Sequence, residues 1–188
     1  MKPIIHFLLT IITTISSPPL ATTAAAQNPP DNQTIYEISK QLCYHCMTES
    51  IQFLYNHNLV RARKMEPPLT WDPQLANYAN WWAQQRRQDC QLEHSFNDGD
   101  FKLGENIFWG GGAAWTPVDA VNDWADEEKY YSYESNSCAE GQMCGHYTQI
   151  VWKATQRIGC ARVVCDDGDL FMTCNYYPPG NYVGERPY

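Results

Sequence analysis

Cys43-Tyr44-His45-Cys46 places two thiols and an imidazole at the Cys-x-x-Cys spacing of a redox pair or of half a zinc site. No second Cys/His pair at metal spacing accompanies it and no thioredoxin-like pattern surrounds it, so a local structural disulfide is the preferred reading. Asp166-Asp167-Gly168-Asp169 clusters carboxylates, but it falls short of the ligand number a calcium loop needs and reads as a turn. Gly110-Gly111-Gly112 lacks the Lys and Ser/Thr of a phosphate-binding loop and reads as a flexible turn. Ser95 adjoins His94 without a recognisable triad context, and the cysteines are better explained as bridged, so no activated Ser or Cys nucleophile is found. Ala120, Trp124 and Glu127 fall at i, i+4 and i+7, which sets a carboxylate on the helix face of a Trp expected to be buried. From periodicity alone, Glu128 is an equally good candidate.

The N-terminus assigns a compartment to these side chains. Met1 and Lys2 precede an apolar run from Ile4 to Ile15, and Ala24-Ala25-Ala26 offers a small-residue cleavage site before Gln27, the layout of a secretory signal peptide over residues 1–26. That run is interrupted by Thr, is followed by Pro18-Pro19 and is shorter than the ~20 residues that span a bilayer, so no membrane span is expected. Eight cysteines in an exported chain read as four disulfides, although the count leaves the pairing open. The net charge of −8 argues against nucleic acid or anionic membrane as a partner, since either calls for clustered Lys and Arg. Residues 27–48 form a flexible leader whose polar, Pro-containing first part carries the glycosylation sequon Asn32-Gln33-Thr34, and the remainder is long enough for one domain with a real core.

Helical spacing of Ile51, Leu54, Tyr55, Leu59 and Ala62 predicts a first helix over about Glu49 to Lys64, with His57 structural or at the surface. Asp72 and Pro73 open a second, with Leu75, Ala79, Trp82 and Ala83 as its inner stripe, and Thr116-Pro117-Val118-Asp119 opens a third. Ile158 to Cys165 and Leu170 to Tyr176 flank the acidic turn as a β-hairpin. His146 to Trp152 fits a β-rich run or a short helix, and these patterns alone define only an α+β chain.

Two longer stretches are more specific: Gly145-His146-Tyr147-Thr148-Gln149-Ile150-Val151-Trp152 and Cys174-Asn175-Tyr176-Tyr177-Pro178-Pro179-Gly180-Asn181-Tyr182. With Gly104-Glu105-Asn106 upstream and Arg186-Pro187-Tyr188 at the end, they closely resemble the signature motifs of the CAP superfamily, which groups cysteine-rich secretory proteins, antigen-five allergens and plant group-one pathogenesis-related proteins. The resemblance covers Ser50 to Tyr188 and implies a CAP domain over residues 49–188. Its implied fold is a disulfide-stabilised three-layer α/β/α sandwich with a small antiparallel sheet, in which His146 to Trp152 is the short helix. It also implies the pairs Cys90–Cys165, Cys138–Cys144 and Cys160–Cys174, leaving Cys43 with Cys46.

The resemblance further implies that His94, Glu105, Glu127 and His146 meet in a central cleft. There, His94 and His146 are candidate ligands of a divalent metal such as zinc, oriented by Glu105 and Glu127, although no cofactor is required. The same four residues are candidate acids and bases of a metal-dependent hydrolase or protease, or simply paired buried groups. The insertion between His94 and Gly104, with Asn97-Asp98-Gly99-Asp100, is longer than in many relatives and bears on the loop carrying His94. Trp124, Tyr130, Tyr131 and Tyr133 resemble the family's caveolin-binding-like loop, which implies a sterol or other small lipid as partner. Residues 178–188 resemble a signalling peptide freed by a protease between Tyr177 and Pro178. The implied protein is a secreted, extracellular plant defence protein of the apoplast: monomeric, non-enzymatic, lipid-binding and antimicrobial.

Overall fold

A computed structural model describes residues 49–96 and 103–188. The signal peptide, Asn32, the leader with Cys43 and Cys46, and Asn97 to Asp100 lie outside the described residues. In chain order the elements are α1 (Glu49–Arg63), β1 (Thr70–Trp71), α2 (Pro73–Arg86), β2 (Gly104–Gly110) and α3 (Pro117–Asp126), which runs into a 3-10 turn at Glu127–Tyr130. Next come β3 (Tyr131–Ser132), β4 (Ser137–Cys138), α4 (Gly145–Ile150), β5 (Arg157–Val164) and β6 (Leu170–Tyr177). Asp72 caps α2 by accepting from the backbone of Gln74 and Leu75. Thr116 and Asp119 form a reciprocal capping box on α3.

The main sheet has the order β1-β5-β6-β2. β5 and β6 pair antiparallel as a hairpin that sets Cys160 opposite Cys174, and β2 pairs antiparallel with β6. The sheet is therefore antiparallel except at its edge, where β1 adds one short parallel pair to β5. Period-two alternation divides β6 between two cores: Leu170, Met172, Cys174 and Tyr176 meet Phe53, Val60, Trp124 and Ile150 of α1, α3 and α4, while Phe171 meets Ala79 and Ala83 of α2. Helices on both faces explain why β6 reads as a nearly continuous buried run. Small residues let α2 lie close to the sheet. At Gly159 an added Cβ would come within 2.1 Å of the Ala76 backbone nitrogen.

The first helix forms where expected but buries a different face. Ile51, Tyr55 and Leu59 are exposed, and the buried stripe is Phe53, His57, Val60 and Arg61. The two polar members are satisfied inside the core. His57 Nδ1 bonds the Phe53 carbonyl at 2.7 Å and Nε2 bonds the Tyr176 hydroxyl at 2.8 Å. Arg61 donates to the carbonyls of Pro67, Ile150, Trp152 and Thr155, tying α1 to the end of α4. Because hydrogen bonding removes the penalty of burying these groups, hydropathy spacing alone selects the wrong side.

Three disulfides brace the frame: Cys90–Cys165 joins the end of α2 to the β5–β6 turn, Cys138–Cys144 closes the loop before α4, and Cys160–Cys174 links the hairpin strands. These are the pairs the family resemblance implies. Among the described residues no helix is long and apolar enough to cross a membrane.

Candidate functional site

Glu105 is the second residue of β2, directly opposite Asn175 of β6, and its side chain is fully buried. Burial by itself would raise its carboxyl pKa, but hydrogen bonds from His94, Ser95 and Asn175 prevail and hold it below the usual carboxylate range. His94 Nδ1 and the Ser95 backbone N–H donate to Oε1, each at 2.9 Å. The Ser95 hydroxyl and Asn175 Nδ2 donate to Oε2 at 2.6 and 2.9 Å. The Ser95 proton is therefore committed to a carboxylate rather than to an imidazole, which is not a triad arrangement.

Glu127 begins the 3-10 turn after α3 and faces the start of α4. Its Oε1 takes His146 Nδ1 at 2.6 Å, while Oε2 accepts the backbone N–H groups of His146 and Tyr147 at 2.9 and 3.1 Å. One carboxylate thus orients an imidazole and caps a helix whose first N–H groups would otherwise lack partners. Glu128 turns away to Lys64 Nζ at 2.6 Å, which resolves the choice that periodicity leaves open.

The four side chains form two His–Glu pairs, connected through β2. Asn106, next to Glu105, donates to the His146 carbonyl at 3.1 Å, and Trp124 Nε1 donates to the Ile107 carbonyl at 3.0 Å. Trp124 lies between His57 and His146, with ring centroids 6.1 and 6.2 Å away. Glu127 also lines a hollow of about 430 Å³ with Asp123, Asp126, Lys129 and Tyr130, which neither His94 nor Glu105 lines. Burial first, and then the Glu127 charge, raise the Asp123 carboxyl pKa.

Since a carboxylate only accepts, both imidazoles donate from Nδ1, and neither Nε2 has a hydrogen-bond partner among the described residues. His94 and His146 therefore have the carboxylate backing seen at metal-ligating imidazoles. Among the described residues, however, the one set of three ligand-type groups within 4.8 Å of one another is Cys90, Cys165 and Asp167, and its sulfurs form a disulfide. Each imidazole is thus backed as a metal ligand is. The two pairs do not supply the three protein ligands usual at a catalytic zinc.

The expected lipid-facing aromatics separate. Trp124 is 1% exposed and belongs to the core, a correction whose cause is its packing between two imidazoles and its bonded indole N–H. Tyr130 lines the acidic hollow. Tyr131 lines a second cavity, of about 300 Å³, with the Cys138–Cys144 bridge, Thr148, Trp152 and Tyr182. Tyr133 stacks on Tyr188, centroids 4.9 Å apart and planes at 12°.

The tail after β6 is strapped to the domain. Gly180 N–H donates to Gln149 Oε1 at 2.9 Å, Thr148 donates to Asn181 Oδ1 at 2.7 Å, and Lys153 N–H donates to the Pro187 carbonyl at 2.7 Å. Arg186 grips the carbonyls of Tyr133 and Glu134, and the Tyr133 hydroxyl donates to the Tyr188 carbonyl at 2.7 Å. At the Tyr177–Pro178 junction both carbonyls accept hydrogen bonds, from Gln156 N–H and from the Thr155 hydroxyl. Sequence reading missed Ser95, Asn106 and Asn175 as supports of the two pairs. The legible signal was an Asn in each of two mostly apolar strands, which needs a polar partner once buried.

This fold and its paired His–Glu residues define the class. The model of the CAP family, the cysteine-rich secretory protein family, matches residues 54–176, and the chain belongs to that family. It is 58% identical over 138 residues to pathogenesis-related protein PR-1 of Medicago truncatula, covering 73% of this chain and 78% of that protein. It is 51% identical to pathogenesis-related protein PRMS of Zea mays, covering 72% and 80% of the two chains. Among solved structures it resembles Schistosoma mansoni venom allergen-like protein 4, with a TM-score of 0.59, 30% identity, and coverage of 74% of this chain and 93% of that one.

Proposed function

We propose that this chain is a secreted, non-enzymatic plant defence protein that binds a sterol or other small lipid in the cavity beside Tyr131 and acts on microbes by withdrawing sterol. The observation that carries the reading is the side of that cavity built by the body of the domain: the rings of Tyr131 and Trp152 and the Cys138–Cys144 bridge, beside the polar side chains of Asn136, Ser137 and Thr148. Aromatic walls with few fixed polar groups suit a rigid apolar ligand bearing one hydroxyl. Its plant relatives, named as pathogenesis-related proteins, support the defence role and, with it, an apoplastic location. In titrations of the mature protein with a labelled sterol, saturable binding weakened by Tyr131→Ala is the expected result; unchanged binding in that variant removes the site. In this reading residues 178–188 also form a releasable peptide, detectable by mass spectrometry of stressed-tissue fluid as a fragment beginning at Pro178.

A second reading, a metal-dependent hydrolase or protease, is favoured by one observation: Nε2 of both His94 and His146 is left available by carboxylates at Nδ1. A bound divalent cation would supply Lewis acidity. The chain's own part is to hold the two imidazoles in place through Glu105 and Glu127. Calorimetric titration with Zn²⁺, lost in His146→Ala, tests the cation site, and chelator-sensitive activity on peptide or ester panels tests the chemistry.

A further inference from the structure

The chain's own C-terminus covers the aromatic segment around Tyr131 and one ring of the cavity itself, Trp152. Tyr188 lies flat on Tyr133 and bonds the Tyr147 hydroxyl at 3.2 Å, while Tyr182 packs on Trp152 with centroids 6.1 Å apart. Gly180 is seated so close to Trp152 that an added Cβ would fall 2.7 Å from its ring. With the tail in place the cavity holds about 300 Å³, at the floor of the range usual for small-molecule sites, and Asn181, Tyr182, Gly184, Glu185 and Pro187 of the tail form one of its walls.

The tail is held mainly by polar bonds rather than by burial. Asn181 through Arg186 are exposed, and of the last eight residues only Pro187 is buried. Segments attached in this way open at far lower free energy than a core strand does. We propose that residues 178–188 are a lid on the lipid cavity: ligand enters as the Tyr188 end lets go, and an occupied cavity keeps the tail, and with it the Tyr177–Pro178 junction, undocked. Lipid capture and peptide release then become linked equilibria, each favouring the other. This inference rests on the lipid reading above.

The test uses the full mature chain and two variants that loosen the tail differently. Gly180→Ala drives it off Trp152, and Tyr188→Ala removes the stack on Tyr133. Fluorescent dehydroergosterol measures affinity, and hydrogen exchange of the 178–188 peptide measures docking independently of any ligand. The expected result is faster tail exchange in both variants with sterol binding tightened by about fivefold or more, because apparent affinity scales with the open fraction. Saturating sterol should also speed tail exchange in the unaltered protein. If the loosened variants bind with unchanged or weaker affinity, the lid is overturned while lipid binding stands. If no protein binds even where exchange shows the tail free, the lipid reading falls and the lid with it.

Discussion

At the residue scale, the two oxygens of Glu127 serve an imidazole and two backbone donors, whereas Glu128 makes one surface ion pair with Lys64. An amide offers a single acceptor oxygen, so Glu127→Gln should lower unfolding stability by about 1–3 kcal/mol. Glu128→Gln should change it by less than about 1 kcal/mol. Urea denaturation of the two variants separates these expectations. His57 supplies the clearest pH dependence: burial in the core lowers its pKa to about 4. The unfolded chain therefore binds a proton that the folded chain refuses as pH falls from about 6.5 to about 4, and stability drops by roughly 3 kcal/mol across that window. Glu105, held below its ordinary value, loses its contribution only at more acidic pH, below about 4.5. Stability measured from pH 7.5 to 4.5 should therefore slope in the natural protein and flatten in His57→Gln. The sequence left His57 as structural or at the surface, since nothing in its neighbourhood along the chain names Tyr176 as its partner.

At the element scale, capping chemistry was readable residue by residue. Asp72 with Pro73, and Thr116 with Asp119, start α2 and α3 where the sequence places them. Thr116→Ala should lower stability by about 1 kcal/mol, read from the shift in denaturation midpoint. Gly159 presents a different problem, because its reason lies across the sheet in the backbone of α2. Gly159→Ala should force the helix away from β5 and destabilise by about 1–3 kcal/mol, which thermal melts would report. The same logic explains the misread face of α1. Four carbonyl acceptors for Arg61 come from the loop after α1 and the end of α4, so no local pattern marks that residue as internal.

At the scale of the whole molecule, the disulfides differ in the chain they enclose. Cys90–Cys165 spans 75 residues and Cys138–Cys144 spans 6. In the chain-entropy account, replacing the first pair by Ala should lower stability by about 4–5 kcal/mol and the second by about half as much. Equilibrium unfolding of the two double variants distinguishes the outcomes. The short bridge also frames the cavity beside Tyr131, so its loss should loosen the tail more than the global fold, and hydrogen exchange can tell these effects apart.

Taken alone, the sequence determined the family, the caps and the β-hairpin, because those signals are carried by short motifs or by local geometry, and through the family's motifs it put forward His94, Glu105, Glu127 and His146 as candidates. Only the tertiary structure decided that the four residues stand as two carboxylate-backed pairs, that Trp124 is core, and that the C-terminal tyrosines cover the aromatic segment. Those outcomes depend on which distant donors and rings arrive at the same place, and the spacing along one chain holds no record of such meetings.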